Sequence, residues 1–342
     1  MSTVLCDLGA WITYASRAPL TPIPKEEADR VLREATCTAR QARAVRDAPW
    51  WRRTQGLARA LTGLPDSRGP DVSLAIADET HRRTRKGVRA HHIPPIDAAD
   101  AVWRIEEPFG LDEAAYVVAP TLYLLLRARL LDLPGLVATA ASLCSTYELH
   151  LDLHRPLVER PPLLSAPSLR AFAQGLPANT TKGDLLRRAA RLTPSLSRSP
   201  METALALLLS LPLRHGGFGL PLPELNPPID LGPDAQRVLG GQRRIFVDLL
   251  WPEASVGVEY DSNEHHSSRQ QHLADERRQL AADIAGVELV PWTASTVMDE
   301  TAFSLAAERL ALRLGVPFSW DLSHVESRRA LRARLLGPHR FW

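Results

Sequence analysis

RIFVDLLWPEASVGVEYDSNEHH, residues 244–266, holds two strand-like runs, RIFVDLL and VGVEYD, separated by WPEAS, a spacer long enough to close a hairpin. Period-two alternation sends Glu259 and Asp261 to one face of the second run, together with Gly257, and turns Val256, Val258 and Tyr260 to the other. On the first run Ile245, Val247 and Leu249 share a face, which isolates Asp248 as a charge beside Phe246 and Leu250. Paired through WPEAS, the strands bring Asp248 near Glu259. A carboxylate inside a half-buried strand costs roughly several kcal/mol unless it is paired or metal-bound, so three in two strands call for a cation. Mg²⁺ (or Mn²⁺) suits them, because a hard ion takes one or two carboxylates plus water and substrate phosphate and can polarise a phosphodiester. The plain alternative, exposed strand-end acids, explains one aspartate more readily than three.

Upstream, SPMETALALLLSL places Ser199 at an N-cap, Pro200 at N1 and Glu202 at N3 of an apolar helix. GGFGLPLPELNPP then reads as an irregular loop. Downstream, RQQHLADERRQLAADIA predicts a polar helix ending at Gly286 as a C′ residue, followed by a strand, VELVPW, and a helix over 301–314. Helix, antiparallel strands, helix, strand, helix is a mixed α/β pattern. In the tail, Ser323 and Glu326 form a capping-box pattern opening a helix that carries Arg328, Arg329, Arg332 and Arg334 before Gly337.

The N-terminal half reads as a mixed α+β domain. Residues 25–46 suit one helix, and APWWRR ends it with Pro49 beside two tryptophans. VSLAIA and VRAHHI are strand candidates, read as a hairpin around the polar loop DETHRRTRKG. The apolar stretch from Tyr116 to Leu149 reads as strand, turn and two helices, with Pro120 near a helix start and Pro134–Gly135 between the helices. The divisions expected are 1–150, a Pro-, Ser- and Arg-rich partly helical connector at 151–198, an α/β domain at 199–320 and a basic helix at 321–342. No internal repeat is visible.

The chain has 342 residues, 45% of them hydrophobic, enough for a substantial core. With 41 Lys+Arg against 39 Asp+Glu the formal charge is +2, so engagement of a polyanion must come from local patches. Cys6, Cys37 and Cys144 are widely spaced and suggest neither a disulfide framework nor a zinc knuckle. The start lacks a basic leader and the longest apolar stretch is too short to span a bilayer, so a cytoplasmic protein without membrane attachment is expected.

The D-x10-E-x-D pattern formed by Asp248, Glu259 and Asp261 resembles the PD-(D/E)XK nuclease superfamily, especially its branch similar to very-short-patch-repair endonucleases. The similarity covers residues 199–320, from SPMET to DERRQLAADIAGVELVPWT. It implies a restriction-endonuclease-like mixed sheet flanked by helices, Mg²⁺ dependence and hydrolysis of DNA phosphodiesters. Carried over by position, Asp248 and Glu259 would be metal ligands, the Tyr260 carbonyl a neighbouring ligand and Glu202 an accessory acid. Where the wider superfamily places lysine, this chain has Asp261, as the related branch often does, which leaves the water-activating group unassigned. His265 and His266 are candidates for it, since imidazole titrates near physiological pH; a solvated loop pair is the alternative. Arg277 and Arg278, on the following helix, would clamp phosphate or, with Asp275 close by, form a surface ion pair.

VSLAIADETHRRTRKGVRAHHIPP and the apolar stretch after it resemble the AbiEi-type antitoxin regulators of abortive-infection systems, which implies a module tied to DNA binding or phage defence. Within it Arg82, Arg83, Arg85 and Lys86 are concentrated enough to engage several phosphates; a solvated loop is the alternative. The expected function is therefore a Mg²⁺-dependent DNA endonuclease joined to a regulatory or targeting module. The alternatives are a catalytically inactive nuclease-fold DNA-binding regulator, and an antitoxin-like protein acting through a protein partner from a defence or toxin–antitoxin system.

Overall fold

The structure is a computed structural model that describes residues 1–54, 71–79, 87–93, 101–110, 114–149, 157–261, 269–320 and 322–337. The chain divides into two compact units, Met1–Leu136 with Glu148–Arg191, and Val137–Tyr147 with Leu192–Trp342. Each is mixed α/β. Among the described residues no helix is long and apolar enough to cross a membrane.

In the first unit, β1 (Thr3–Leu5), β2 (Leu20–Pro22), β3 (Val72–Ile76), β4 (Val88–His92), β5 (Val102–Ile105) and β6 (Ala115–Val118) form one sheet in the order β2-β5-β6-β1-β3-β4. The apolar run of β3 is buried along its whole length. Against the hairpin expectation, β3 and β4 are parallel, with Val72 opposite Val88 and Ile76 opposite His92. Parallel pairing excludes a two-strand hairpin, whose arms are antiparallel; residues 80–86 of the expected loop lie outside the described residues.

The helix expected over 25–46 is two helices, α2 (Lys25–Arg33) and α3 (Ala39–Asp47), after α1 (Asp7–Ala15). Ala35 forms a parallel bridge with Ser2, and Thr38 starts α3 afresh through a reciprocal capping box with Gln41. Local capping and a β-bridge thus outweigh helix propensity. Pro49 opens a short α4 (Pro49–Arg53), and Trp50 and Trp51 bury completely, edge to face with ring centroids 6.1 Å apart. Pro120 sits in the first turn of α5 (Pro120–Arg127). Pro134 and Gly135 lie inside the first turn of α6 (Leu133–Leu143) rather than ahead of it, because the Asp132 carboxylate accepts the Gly135 N–H at 2.9 Å. Then come β7 (Tyr147–Leu149), β8 (Leu157–Glu159), α7 (Ala166–Gly175) and α8 (Gly183–Leu192). The last two bury Leu169 and Ala173, and Leu186 and Ala189, at helical spacing.

The second unit is built from α9 (Pro200–Ser210), β9 (Glu224–Leu225), β10 (Pro228–Asp230), α10 (Pro233–Val238), β11 (Arg244–Phe246), β12 (Leu249–Trp251), β13 (Val256–Asp261), α11 (Arg269–Ile284), β14 (Glu288–Thr293), α12 (Ala294–Met298), α13 (Glu300–Arg313) and α14 (Val325–Leu336). Its sheet runs β14-β13-β12-β9, parallel between β13 and β14 and antiparallel elsewhere. The hairpin read from WPEAS is present: Leu249 faces Val258 and Trp251 faces Val256, with Ser255 taking φ 52° in the turn. RIFVDLL, however, is two strands, since β11 pairs with β10 while β12 joins the sheet. The stretch GGFGLPLPELNPP, expected as loop, supplies β9.

Gly257 is required by close approach, for a Cβ there would stand 2.6 Å from Val247 Cγ1 and 3.0 Å from Leu289 Cδ2. Those residues, with Ile245, Leu250, Ala281 and Ala282, form the core between sheet and α11. Past α11, Gly286 takes φ 80° and turns the chain into β14. The expected capping box of α14 does not form: the N-cap is His324, with no side-chain cap. The helix is fixed instead by Arg328 and Arg332, both buried, whose guanidinium carbons lie 4.7 Å and 5.2 Å from the ring centroids of Phe218 and Phe303.

Candidate metal and phosphate site

The site begins where the chain passes from β11 to β12. Asp248 falls in that break, its carbonyl accepting the Asn226 N–H at 3.1 Å. The carboxylate Oδ2 accepts the Tyr260 N–H at 2.9 Å, so the backbone of β13 aims the acid. Glu259 shares the β13 face of Gly257, the face packed toward α11. There Arg278 grips it: Nε lies 3.1 Å from each Glu259 oxygen and a terminal nitrogen lies 2.5 Å from Oε1. The same terminal nitrogen donates to the Phe246 carbonyl.

Burial pushes the Asp248 carboxyl up to about 6. The Tyr260 N–H and Arg278 oppose the rise, and the charges of Glu202 and Glu259 add to it. Arg278 is held more firmly protonated than an ordinary arginine, chiefly by its bond to Glu259. A cleft of about 680 Å³ opens over these groups, lined by Asp248, Glu259, Tyr260 and Asp261 from the sheet side and by Asp275, Glu276, Arg278 and Asp283 from α11. It is rich in carboxylate oxygen, the donor chemistry that a hard divalent cation takes.

Asp261 lines the cleft from the exposed end of β13 and does not close a three-acid cage. Among the described residues no group of three or more His, Cys, Asp or Glu side chains could hold a metal ion. Asp248 and Glu259 remain as a two-carboxylate set, which fits the one or two protein carboxylates that Mg²⁺ commonly uses. Glu202 is buried on α9, where Ser199 accepts its N–H at 3.2 Å as an N-cap should. Its carboxylate accepts the Arg198 N–H at 2.8 Å and the Asn226 Nδ2–H at 2.5 Å. Glu202 therefore braces Asn226, which in turn holds Asp248. Arg277 is exposed on α11. Arg82, Arg83, Arg85 and Lys86, and also His265 and His266, lie outside the described residues.

Sequence reasoning misses two contributors. Asn226 sits at φ 51°, a left-handed conformation that Asn tolerates, and the Asn-Pro-Pro run is the signal that could have found it. Arg198 lies 4.4 Å over the Phe246 ring, flanking the break that presents Asp248. Arg278 pairs with Glu259 and not with Asp275, the surface pair read from the sequence as the alternative to a phosphate clamp. The i,i+3 spacing suggests that pair, while docking of α11 on the sheet brings Glu259 closer. A larger cleft in the first unit, about 810 Å³, is lined by Trp103, Phe172, prolines and leucines, with no titratable side chain among the described residues that line it. No family model, curated protein or solved structure matches this chain.

Proposed function

We propose that the second unit is a Mg²⁺-dependent DNA endonuclease domain of the PD-(D/E)XK type. The observation that carries this reading is the presentation of Asp248, from the break just before β12, and Glu259, from β13, into one acidic cleft. The mixed sheet β14-β13-β12-β9 with α11 packed on it supports the reading, because the resemblance implies a mixed sheet flanked by helices. Asp248 and Glu259 would hold Mg²⁺ (or Mn²⁺), with the Tyr260 carbonyl as a neighbour, and the ion would neutralise charge on a phosphodiester. This chain's residues orient the parts. Tyr260 N–H fixes Asp248, Glu202 and Asn226 brace the break, and Arg277 and Arg278 offer guanidinium groups to phosphate. The basic run Arg82, Arg83, Arg85 and Lys86 would steer the N-terminal module to DNA, in the cytoplasm.

A second reading, a DNA-binding regulator that keeps the scaffold without the activity, is favoured by the Glu259–Arg278 pair and by Asp261 in the lysine position. Nicking of supercoiled plasmid across a Mg²⁺ titration separates the two. The nuclease reading expects Mg²⁺-dependent nicking that Asp248→Asn abolishes. DNA binding without nicking at any Mg²⁺ or Mn²⁺ concentration would leave the regulator.

A further inference from the structure

The bidentate grip of Arg278 covers the acceptor edge of Glu259, with Nε 3.1 Å from both oxygens and a terminal nitrogen 2.5 Å from Oε1. A cation using Glu259 would have to displace that guanidinium. The fork that matches a carboxylate also matches a phosphate, so a phosphodiester competes for the same donors in the same geometry. Both partners are part-exposed, Arg278 at 31% and Glu259 at 26%, so the pair can open without dismantling the core. The cleft around them is rich in carboxylates, which repel phosphate until a cation enters or a guanidinium turns outward.

Resting on the nuclease reading above, we propose that Arg278 is a latch that makes metal and DNA binding cooperative. In the free protein it neutralises Glu259; a phosphate of bound DNA draws the guanidinium away and leaves Glu259 open to the cation beside Asp248. Arg278 is thus a positioning residue in the free state and a phosphate ligand in the complex. By linkage, the factor by which DNA tightens metal binding is the factor by which metal tightens DNA binding.

The test is Mg²⁺ binding by isothermal calorimetry, using the full chain with and without a short phosphorothioate duplex that resists cleavage. For the parent, the duplex should tighten Mg²⁺ binding by about tenfold, the worth of opening one part-exposed ion pair. Arg278→Ala should bind Mg²⁺ about tenfold more tightly than the parent without DNA, and the duplex should then tighten binding less than it does in the parent. Arg278→Lys, which keeps the charge without the fork, should fall between. Equal Mg²⁺ affinity in parent and Arg278→Ala, with the same response to DNA, overturns the latch and leaves the nuclease reading intact. If Arg278→Ala fails to fold, the parent's response to the duplex decides: an unchanged Mg²⁺ affinity overturns the latch. Absence of Mg²⁺ binding in every protein, with DNA or without, sinks the nuclease reading and the latch together.

Discussion

At Asp248 a carboxylate is held by one backbone N–H in a place where burial opposes its charge, and its value rises to about 6. The unfolded chain titrates this group near about 3.9. Because the folded value lies above the unfolded one, the native state takes up a proton between about pH 4 and 6 that the unfolded chain does not. Stability therefore falls as pH rises through that window, and the full cost applies above it. Asp248→Asn keeps an oxygen acceptor for Tyr260 N–H and removes the charge. It should raise metal-free stability at neutral pH by roughly 1–2 kcal/mol, discounted for solvent access, and flatten the parent's fall between about pH 4 and 6. Thermal melts across that range check this; a variant less stable than the parent at neutral pH would mark Asp248 as an ordinary structural acid. Asp248 is legible in the sequence as an isolated charge beside Phe246 and Leu250, and Glu259 because period-two alternation sets it on one face with Asp261. The grip of Arg278 is not, since it depends on how α11 docks.

The elements are most legible where the signal is local. Ser199, Pro200 and Glu202 define the start of α9, and WPEAS closes the hairpin, because capping and turn chemistry act within a few residues. Pairing over distance is not legible in this way: VSLAIA and VRAHHI are parallel, and Ser323 does not cap α14. Parallel pairing is decided by neighbours far away in sequence, and the start of α14 by the arginines packed along it. Gly257→Ala should destabilise the second unit by about 1–3 kcal/mol, since the new methyl meets Val247 and Leu289. Denaturant unfolding measures this, and a neutral result would mean the sheet and α11 separate more easily than the packing suggests. On α14, Arg332 donates to the Val297 and Met298 carbonyls at 2.8 and 3.0 Å, whereas Arg329 is exposed. Arg332→Ala should cost about 2–4 kcal/mol and Arg329→Ala under about 0.5 kcal/mol. Equal small losses in the same unfolding assay would show that the helix is not anchored by its buried arginines.

Across the whole molecule the formal charge of +2 hides an acidic cleft in one unit and a basic run in the sequence of the other. The order of helix and strand patterns makes the mixed α/β class legible, and the chain length a division into more than one domain. The stretch 151–198 reads as a connector because its prolines obscure the helical spacing of Leu169, Ala173, Leu186 and Ala189, yet most of it belongs to the first unit. If the basic run binds DNA, replacing Arg82, Arg83, Arg85 and Lys86 together should weaken binding and lower the logarithmic salt slope by about 0.9 for each phosphate no longer neutralised. Fluorescence anisotropy at several salt concentrations reads that slope, and an unchanged value removes the run from the interface. The cation site itself is tested most directly by anomalous diffraction from crystals soaked in Mn²⁺, comparing the parent with Asp248→Asn. The expected result is one anomalous peak within coordination distance of the Asp248 and Glu259 carboxylates in the parent and none there in the variant. No peak at that place in the parent, or an equal peak in both proteins, would contradict it.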